Sequence, residues 1–469
     1  MLYSSSRGKS ESVKFLEVLT SGVAPDGGLY LPEETPKFLE EELLSFKNFS
    51  YNELALKILH PFMDDFLSEE ELEKIIKESY SSFRIENVVQ INNQKQVGNI
   101  LELFHGPTYA FKDVAMQLLA GLLNKASEKI DKKIVILGAT SGDTGSAAIE
   151  ACKRYTDLDI FILFPDKKIS EVQQRQMTTS GADNVYSIAV NGDFDDCQKY
   201  VKKLFLKQEE FPKIRFVSIN SINWTRIISQ SVYFFYANFL LDNNKYVASI
   251  PSRNFGHAYA GWLATKMGLE LEGIHIATNK NDILDRLISS GIYSRNKTIK
   301  SLAPSMDISV ASNFERLMVD VLSNDRSKLN ELMNIFPKNP LDFNNYPEWK
   351  KISSFFSSSK TDDQEIKKCI EEVISKSNYF IDPHTATAVK GLLSSKIPGE
   401  NILTFATAHP GKFPDAYHDI NGFTEMIPSD LKSIFEKEES FIKLNNNYCL
   451  LYTSPSPRDT LLSRMPSSA

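Results

Sequence analysis

Four cysteines are few for a chain of 469 residues, and Cys152, Cys197, Cys369 and Cys449 lie too far apart for the paired spacing of a metal site. That scarcity argues against a disulfide framework and a bound metal, and it suits reduced thiols in the cytoplasm. Basic excess is also missing. With 53 lysines and arginines against 60 acidic residues the net charge is −7, which leaves no positive field and no expected nucleic-acid partner. No apolar run is long enough to span a bilayer, and the opening residues Met1 to Arg7 lack the apolar core of a signal peptide, so no membrane partner is expected either. No internal repeat is visible. The glycines at 138, 142 and 145 do not follow the G-x-G-x-x-G dinucleotide spacing, and no Gly-Lys-Ser/Thr follows them to make a P-loop. What remains is a soluble-type composition, 42% hydrophobic, able to bury a large core in more than one domain.

The richest stretch runs from Leu103 to Asp113 and sets Lys112 between a Gly106-Pro107 turn and a helix whose apolar residues recur at Val114, Leu118, Leu119 and Leu122. A helix N-terminus disfavours an ammonium. Desolvation among Phe104, Tyr109 and Phe111 would lower the lysine pKa further and free a neutral amine for a Schiff base with an aldehyde cofactor. A snorkelling surface lysine is the plain alternative. Downstream, the apolar run Ile134 to Leu137 predicts a strand, Gly138 to Gly145 a loop, and Ser146 to Tyr155 a helix. That order presents unpaired helix N–H groups to an anion. A tight turn that needs its glycines only for packing would read the same way. A second such unit joins a strand at Val247 to Ile250, the turn Pro251 to His257 and a helix from Ala258 to Met267. A third strand, Ile402 to Thr407, runs into Ala408-His409-Pro410-Gly411-Lys412-Phe413. Ligands in open α/β sheets collect at such strand ends.

These motifs, taken with Asn220-Ser221-Ile222-Asn223-Trp224, Met306-Asp307 and Asp382-Pro383-His384-Thr385-Ala386, occur in the order found in threonine synthases, and the chain resembles the microbial and fungal branch of that family from the Gly27-Gly28-Leu29-Tyr30 region to about Lys412. The resemblance implies two open α/β lobes of the tryptophan-synthase-β kind, the type II fold of pyridoxal-phosphate enzymes. It also implies conversion of O-phosphohomoserine and water to threonine and phosphate. Lys112 would carry the pyridoxal 5′-phosphate. Ser252, Arg253, Asn254, Phe255, Gly256 and His257 would hold its phosphate through main-chain N–H groups, and Thr407 would bond the pyridine nitrogen. Thr140, Ser141, Gly142, Asp143 and Thr144 would bind the substrate carboxylate, with Asn223 and Arg226 as further substrate contacts. Relatives carry glycine at the position of Arg253 and asparagine at that of His257. An arginine costs about 1 to 2 kcal/mol where φ is positive, against a compensating charge-assisted contact from its guanidinium to the phosphate of about 1.5 to 3 kcal/mol; with the signs opposed, Arg253→Gly is expected to tighten cofactor binding or leave it unchanged. A monomer is favoured. The alternatives are a serine or threonine dehydratase of the same fold type and a catalytically inactive relative that only binds ligand.

The same reading divides the chain into a helix-rich region over 1–95, a first lobe over 96–241 and a second over 246–435, with a charged helical insertion at about 313–377. Phe355 to Ser359 is expected to be an exposed turn. Residues 453–469, rich in serine, arginine and proline, resemble translated cloning sequence and are set aside from the fold. His105 and His384 could be structural or functional. Trp224 and Phe255 suit packing better than cofactor stacking, and Asp143 suits capping its own loop as well as it suits chemistry.

Overall fold

Runs such as Ile134-Val135-Ile136-Leu137 and Ile160-Phe161-Ile162-Leu163 are apolar at every position, which suits strands covered on both faces by helices. A computed structural model places them so and describes residues 1–94, 97–394, 401–418, 420 and 422–445. Cys449 and the 453–469 segment lie outside the described residues. One sheet has the spatial order Ile442–Asn445, Val185–Asn191, Leu158–Pro165, Lys133–Ala139, Ile214–Ser218, all parallel. The other has the order Phe356–Lys360, Gly273–Thr278, Val247–Pro251, Ile402–Ala406, Gly98–Glu102, Gln90–Gln94, with only the last pair antiparallel.

The sheets cross the divisions read from sequence. Gly98–Glu102, placed by sequence in the 96–241 lobe, pairs with Ile402–Ala406 in the second sheet, and Ile442–Asn445, beyond residue 435, forms the edge of the first. Strand partners are chosen by main-chain hydrogen bonding in three dimensions, so the neighbour in sequence need not be the neighbour in the sheet. The N-terminal region is helical as its periodicity predicts. Its helices Tyr51–Met63 and Glu69–Tyr80 start at capping boxes on Ser50/Glu53 and Ser68/Glu71. It also holds a two-stranded ribbon, Tyr3–Ser5 with Tyr30–Pro32. The insertion supplies helices Phe314–Val321, Arg326–Ile335, Pro347–Ser353 and Asp363–Ser377. The expected turn at 355–359 is instead the edge strand Phe356–Lys360. Its serines are not there for water, because Ser357 and Ser359 Oγ lie 2.9 Å from the two ring nitrogens of buried His275.

A single large core links the N-terminal helices to both sheets. The Trp224–Leu240 helix is buried over nearly its whole length and packs on Tyr51–Met63, Lys112–Lys129 and Gly256–Lys266. Trp224 lies against Tyr3 and Phe62, and Phe255 against Phe314 and Phe356, so both aromatics are packing residues.

Candidate active site

The lysine loop is strapped to the carboxyl end of a central strand. Leu103 N–H donates to Ala406 O at 3.0 Å, Phe111 N–H to Thr407 O at 2.8 Å, and His409 N–H to Tyr109 O at 3.0 Å. The strap needs Tyr109 in the left-handed region, at φ 61°. Asp113 holds its near side, accepting from Thr108 N–H at 2.8 Å and Thr108 Oγ1 at 2.7 Å. Lys112 thereby opens its helix, Lys112–Lys129, and points its buried amine at the next helix rather than at solvent.

That next helix, Asp143–Cys152, brings Asp143 Oδ2 to 3.0 Å from Lys112 Nζ. The carboxylate has further partners: buried Lys412 Nζ at 3.0 Å and buried Gln173 Nε2 at 2.9 Å from Oδ1, and partly buried Ser305 Oγ at 3.1 Å from Oδ2. Lys412 also donates to Thr108 O at 2.7 Å. Burial pushes the Lys112 amine down to about 8 against the upward pull of Asp143, with Arg253 and Lys412 adding to the depression. Burial alone would raise Asp143, but Lys112, Lys412 and His384 hold it well below the ordinary carboxylate range. Asp143 is therefore not mainly a loop cap. It is the counter-ion shared by two buried lysines.

Thr140 and Gly142 shape the start of that helix. Thr140 Oγ1 accepts from Gly142 N–H at 3.0 Å and Gly145 N–H at 2.9 Å and donates to Gly142 O at 3.1 Å, which spends its hydroxyl inside the loop and leaves none for a ligand. Gly142 sits at φ 137°, and a Cβ there would lie 2.3 Å from Gln173 Oε1. Ser141 and Thr144 are partly exposed beside helix N–H groups, the arrangement that takes a carboxylate.

Asn223 also departs from its expected role. It is fully buried as the N-cap of Trp224–Leu240: Oδ1 accepts from Thr225 N–H at 3.0 Å, and Nδ2 donates to Leu19 O at 3.1 Å and Ser218 O at 3.5 Å. With both ends of the amide occupied, it positions a helix and does not face a substrate. Arg226, one turn on, donates from Nη1 to Ile219 O at 3.1 Å, while its Nε is buried without a partner.

The loop after Val247–Pro251 holds more such unpaired donors. Ser252 N–H is taken by Ala277 O at 2.8 Å, so its main chain is not free for a ligand, yet Ser252 Oγ is buried and unpaired. Among the described residues Arg253 Nε and both ring nitrogens of His257 are also buried without a partner, the neutral imidazole offering one N–H donor and one acceptor nitrogen. His257 is stacked on Phe111 at 5.3 Å, and burial pulls its pKa down to about 3. Asn254 serves the loop itself, bonding Ser221 Oγ at 2.6 Å through Nδ2 and taking Asn313 N–H at 3.0 Å on its carbonyl. The left-handed residue here is Phe255, φ 61°, and not Arg253, so the steric objection to arginine at this position falls away. Gly256 opens the following helix, and Tyr259 N–H is the first in it to find an acceptor, Phe255 O at 2.8 Å. Buried donors without acceptors cost about 1 to 3 kcal/mol each. Their convergence on one helix N-terminus, with burial and neighbouring Arg253 lowering Arg226 to about 10, suits a phosphate dianion.

Thr407 joins the two halves through its main chain, its N–H reaching Thr385 Oγ1 at 3.3 Å and its carbonyl taking Phe111 N–H. Thr385 in turn donates to Asp382, whose other oxygen is 2.6 Å from His384 Nδ1. His384 Nε2 accepts Ser305 N–H at 3.2 Å. His384 therefore supports Ser305 behind Asp143, whereas His105, 2.8 Å from Glu102, belongs to a separate buried cluster with Tyr379. Sequence reasoning missed Gln173 and Ser305, which sit in no motif with a chemical signature, and left Lys412 out of the site although it lies in the strand-end segment. Among the described residues no group of His, Cys, Asp and Glu could hold a metal ion, and no helix is long and apolar enough to cross a membrane.

Three family models match the chain in succession: threonine synthase N terminus over residues 2–80, pyridoxal-phosphate dependent enzyme over 94–329, and threonine synthase, C-terminal, over 385–451. The chain is 41% identical to threonine synthase of Pseudomonas aeruginosa, covering 95% of this chain and 96% of that one. It is 37% identical to threonine synthase of Saccharomyces cerevisiae, covering 94% and 95%. The crystal structure of PLP-bound threonine synthase from Brucella melitensis superposes with a TM-score of 0.91 at 40% identity, covering 96% and 97% of the two chains.

Proposed function

Because the chain belongs to the threonine synthase family of pyridoxal-phosphate-dependent enzymes, we propose that it converts O-phosphohomoserine and water to L-threonine and phosphate, with Lys112 as the residue that bonds the cofactor aldehyde. The observation that carries this reading is a buried lysine, its pKa lowered to about 8 by burial with Arg253 nearby, together with the unpaired buried donors of the loop that holds Arg253. Bound there, the cofactor supplies an electron sink for the carbanions of the reaction.

The side chains supply everything else. Ser252 Oγ, the free N–H groups at the start of Gly256–Lys266, Arg253 and His257 hold the cofactor phosphate, and Arg226 adds a cation beside them. Thr407, its main chain fixed on both sides, would offer a neutral hydroxyl to the pyridine nitrogen, which unlike a carboxylate would not enforce a protonated ring nitrogen. Ser141, Thr144 and the adjacent helix N–H groups take the substrate carboxylate, while Thr140 and Gly142 hold that loop in shape. Lys112 Nζ would carry protons between neighbouring substrate carbons, since an amine whose pKa burial lowers to about 8 can both take and give a proton near neutral pH. Burial of Lys112, Asp143 and Lys412 keeps bulk water away from the amine. The same reading takes the enzyme as a cytoplasmic monomer without a nucleic-acid partner, in keeping with its net charge of −7.

Incubation of the holoenzyme with O-phosphohomoserine should release phosphate and threonine in equal amounts, with solvent deuterium entering the product carbons. If 2-oxobutyrate were the main product instead, the chain would be a dehydratase.

A further inference from the structure

The mechanism asks one lysine to leave the cofactor and return to it, and the geometry around Lys112 shows where the amine waits. Asp143 binds Lys112 Nζ on one oxygen and Lys412 Nζ on the other, each at 3.0 Å. The two cations are not equivalent. Lys412 is fully buried and anchored a second time on Thr108 O at 2.7 Å, within the strap that precedes Lys112, so it cannot swing. Among the described residues Lys112 has no second acceptor, so one hydrogen bond alone holds its amine there. Gln173 and Ser305 complete the carboxylate and fix its plane.

We propose that Asp143 is the dock that receives the amine of Lys112 whenever it is released from the cofactor, and that Lys412 is a fixed counter-cation that keeps this carboxylate in place while Lys112 comes and goes. The proposal rests on the reading of Lys112 as the cofactor lysine. A lone buried Asp143 would lose its partner each time Lys112 bonded the aldehyde, and an unpaired buried carboxylate takes up a proton. Lys412 prevents that. It also offsets the attraction of Asp143 for a proton on Lys112, so the docked amine can be neutral and ready to add to a carbonyl.

Other charges face the amine too. Arg253, from the loop after Val247–Pro251, opposes its protonation, as Lys412 does, while Asp143 favours it. Asp307 faces Arg253, His384 faces Asp143 from the Pro383–Ser394 helix, and Asp113 on the lysine's own helix faces Thr108 and Lys412. None of these bonds the amine directly; among the described residues only Asp143 does.

The two charges act on the Lys112 amine with opposite signs, and each can be read from the pH at which that amine becomes reactive. In cofactor-free protein, the rate at which pyridoxal phosphate is captured as a visible band, and the rate of reductive methylation of Lys112 read by mass spectrometry, both follow the neutral amine. For the native chain both should rise with pH to a midpoint near 8. Asp143→Asn should lower that midpoint by about one pH unit or more, and Lys412→Met should raise it, by the ordinary effect of one charge within about 4 to 6 Å. The double variant should fall between the two. Midpoints that stay put, or move in the same direction, would overturn the proposal. Should Lys412→Met fail to fold, the fall in Asp143→Asn decides alone. Borohydride treatment of native holoenzyme reports separately on the underlying reading: a cofactor fixed to a lysine other than Lys112 refutes that reading and leaves the Asp143–Lys412 ion pair as structure only.

Discussion

Replacing Arg253 by glycine tests the phosphate cradle at its least expected residue. The guanidinium enters a pocket that already holds Arg226, with its Nε sealed from solvent and unpaired, and burial lowers its pKa. In the cofactor-free protein that arrangement is unfavourable, since two like charges share a desolvated site. With a phosphate bound, the same guanidinium becomes a charge-assisted donor worth about 1.5 to 3 kcal/mol. Because Arg253 is not in the left-handed region, glycine relieves no backbone strain, and its extra freedom must be lost again on binding, at about 0.5 to 1 kcal/mol. Both contributions have one sign. Together they come to about 2 to 4 kcal/mol, so Arg253→Gly should weaken pyridoxal phosphate binding by about 30- to 700-fold, each 1.4 kcal/mol being a factor of ten. The thermal midpoint of the cofactor-free protein should hold steady or rise as the like-charge repulsion disappears. Titration of cofactor-free protein in buffer free of phosphate and sulfate, followed by the visible band, measures the first effect. Pyridoxal, which lacks the phosphate, serves as the control and should lose little. A variant that binds the cofactor as tightly as the native chain, or more tightly, would show that Arg253 contributes nothing to the cradle and that the sequence-based expectation for this substitution was right after all.

Two further outcomes follow from the site. Lys112→Ala should abolish the visible band of the lysine-bound cofactor and nearly all turnover while far-ultraviolet circular dichroism stays native, because the change removes a functional amine and opens only a small space; native-level turnover would exclude Lys112 as the anchor. Asn223→Ala should cost about 1 to 3 kcal/mol of stability through the lost N-cap and the unpaired carbonyl of Leu19, with KM for substrate near native in whatever protein folds, and a selective rise in KM would return Asn223 to the substrate site.

The separate pieces of the site were legible because each is local. A strand, a glycine-bearing turn and a helix start are encoded within about fifteen residues, and their phosphate- and carboxylate-binding capacity follows from helix N–H groups alone. Lys112, the 140–144 loop and the 252–257 loop could all be named on that ground. Roles within those loops were not legible. Thr140 and Asn223 carry groups suited to binding, yet the fold spends those groups on main-chain partners, and only the coordinates of Gly142, Gly145, Leu19 and Thr225 reveal it. The steric premise at Arg253 fails because φ is a property of the folded loop, and the positive value belongs to Phe255 two residues later.

What the sequence determined by itself is therefore the set of chemical fragments: an apolar run that must be a covered strand, a glycine that must turn, a lysine at a helix start among aromatics. Tertiary structure decided which fragments meet. Lys412 follows Lys112 by hundreds of residues and reaches the same carboxylate only because strand Ile402–Ala406 pairs beside Gly98–Glu102 and delivers both lysines to one sheet end. Ionisation of a buried group depends on the distance to other charges and on the exclusion of water, and neither quantity exists until the chain has folded.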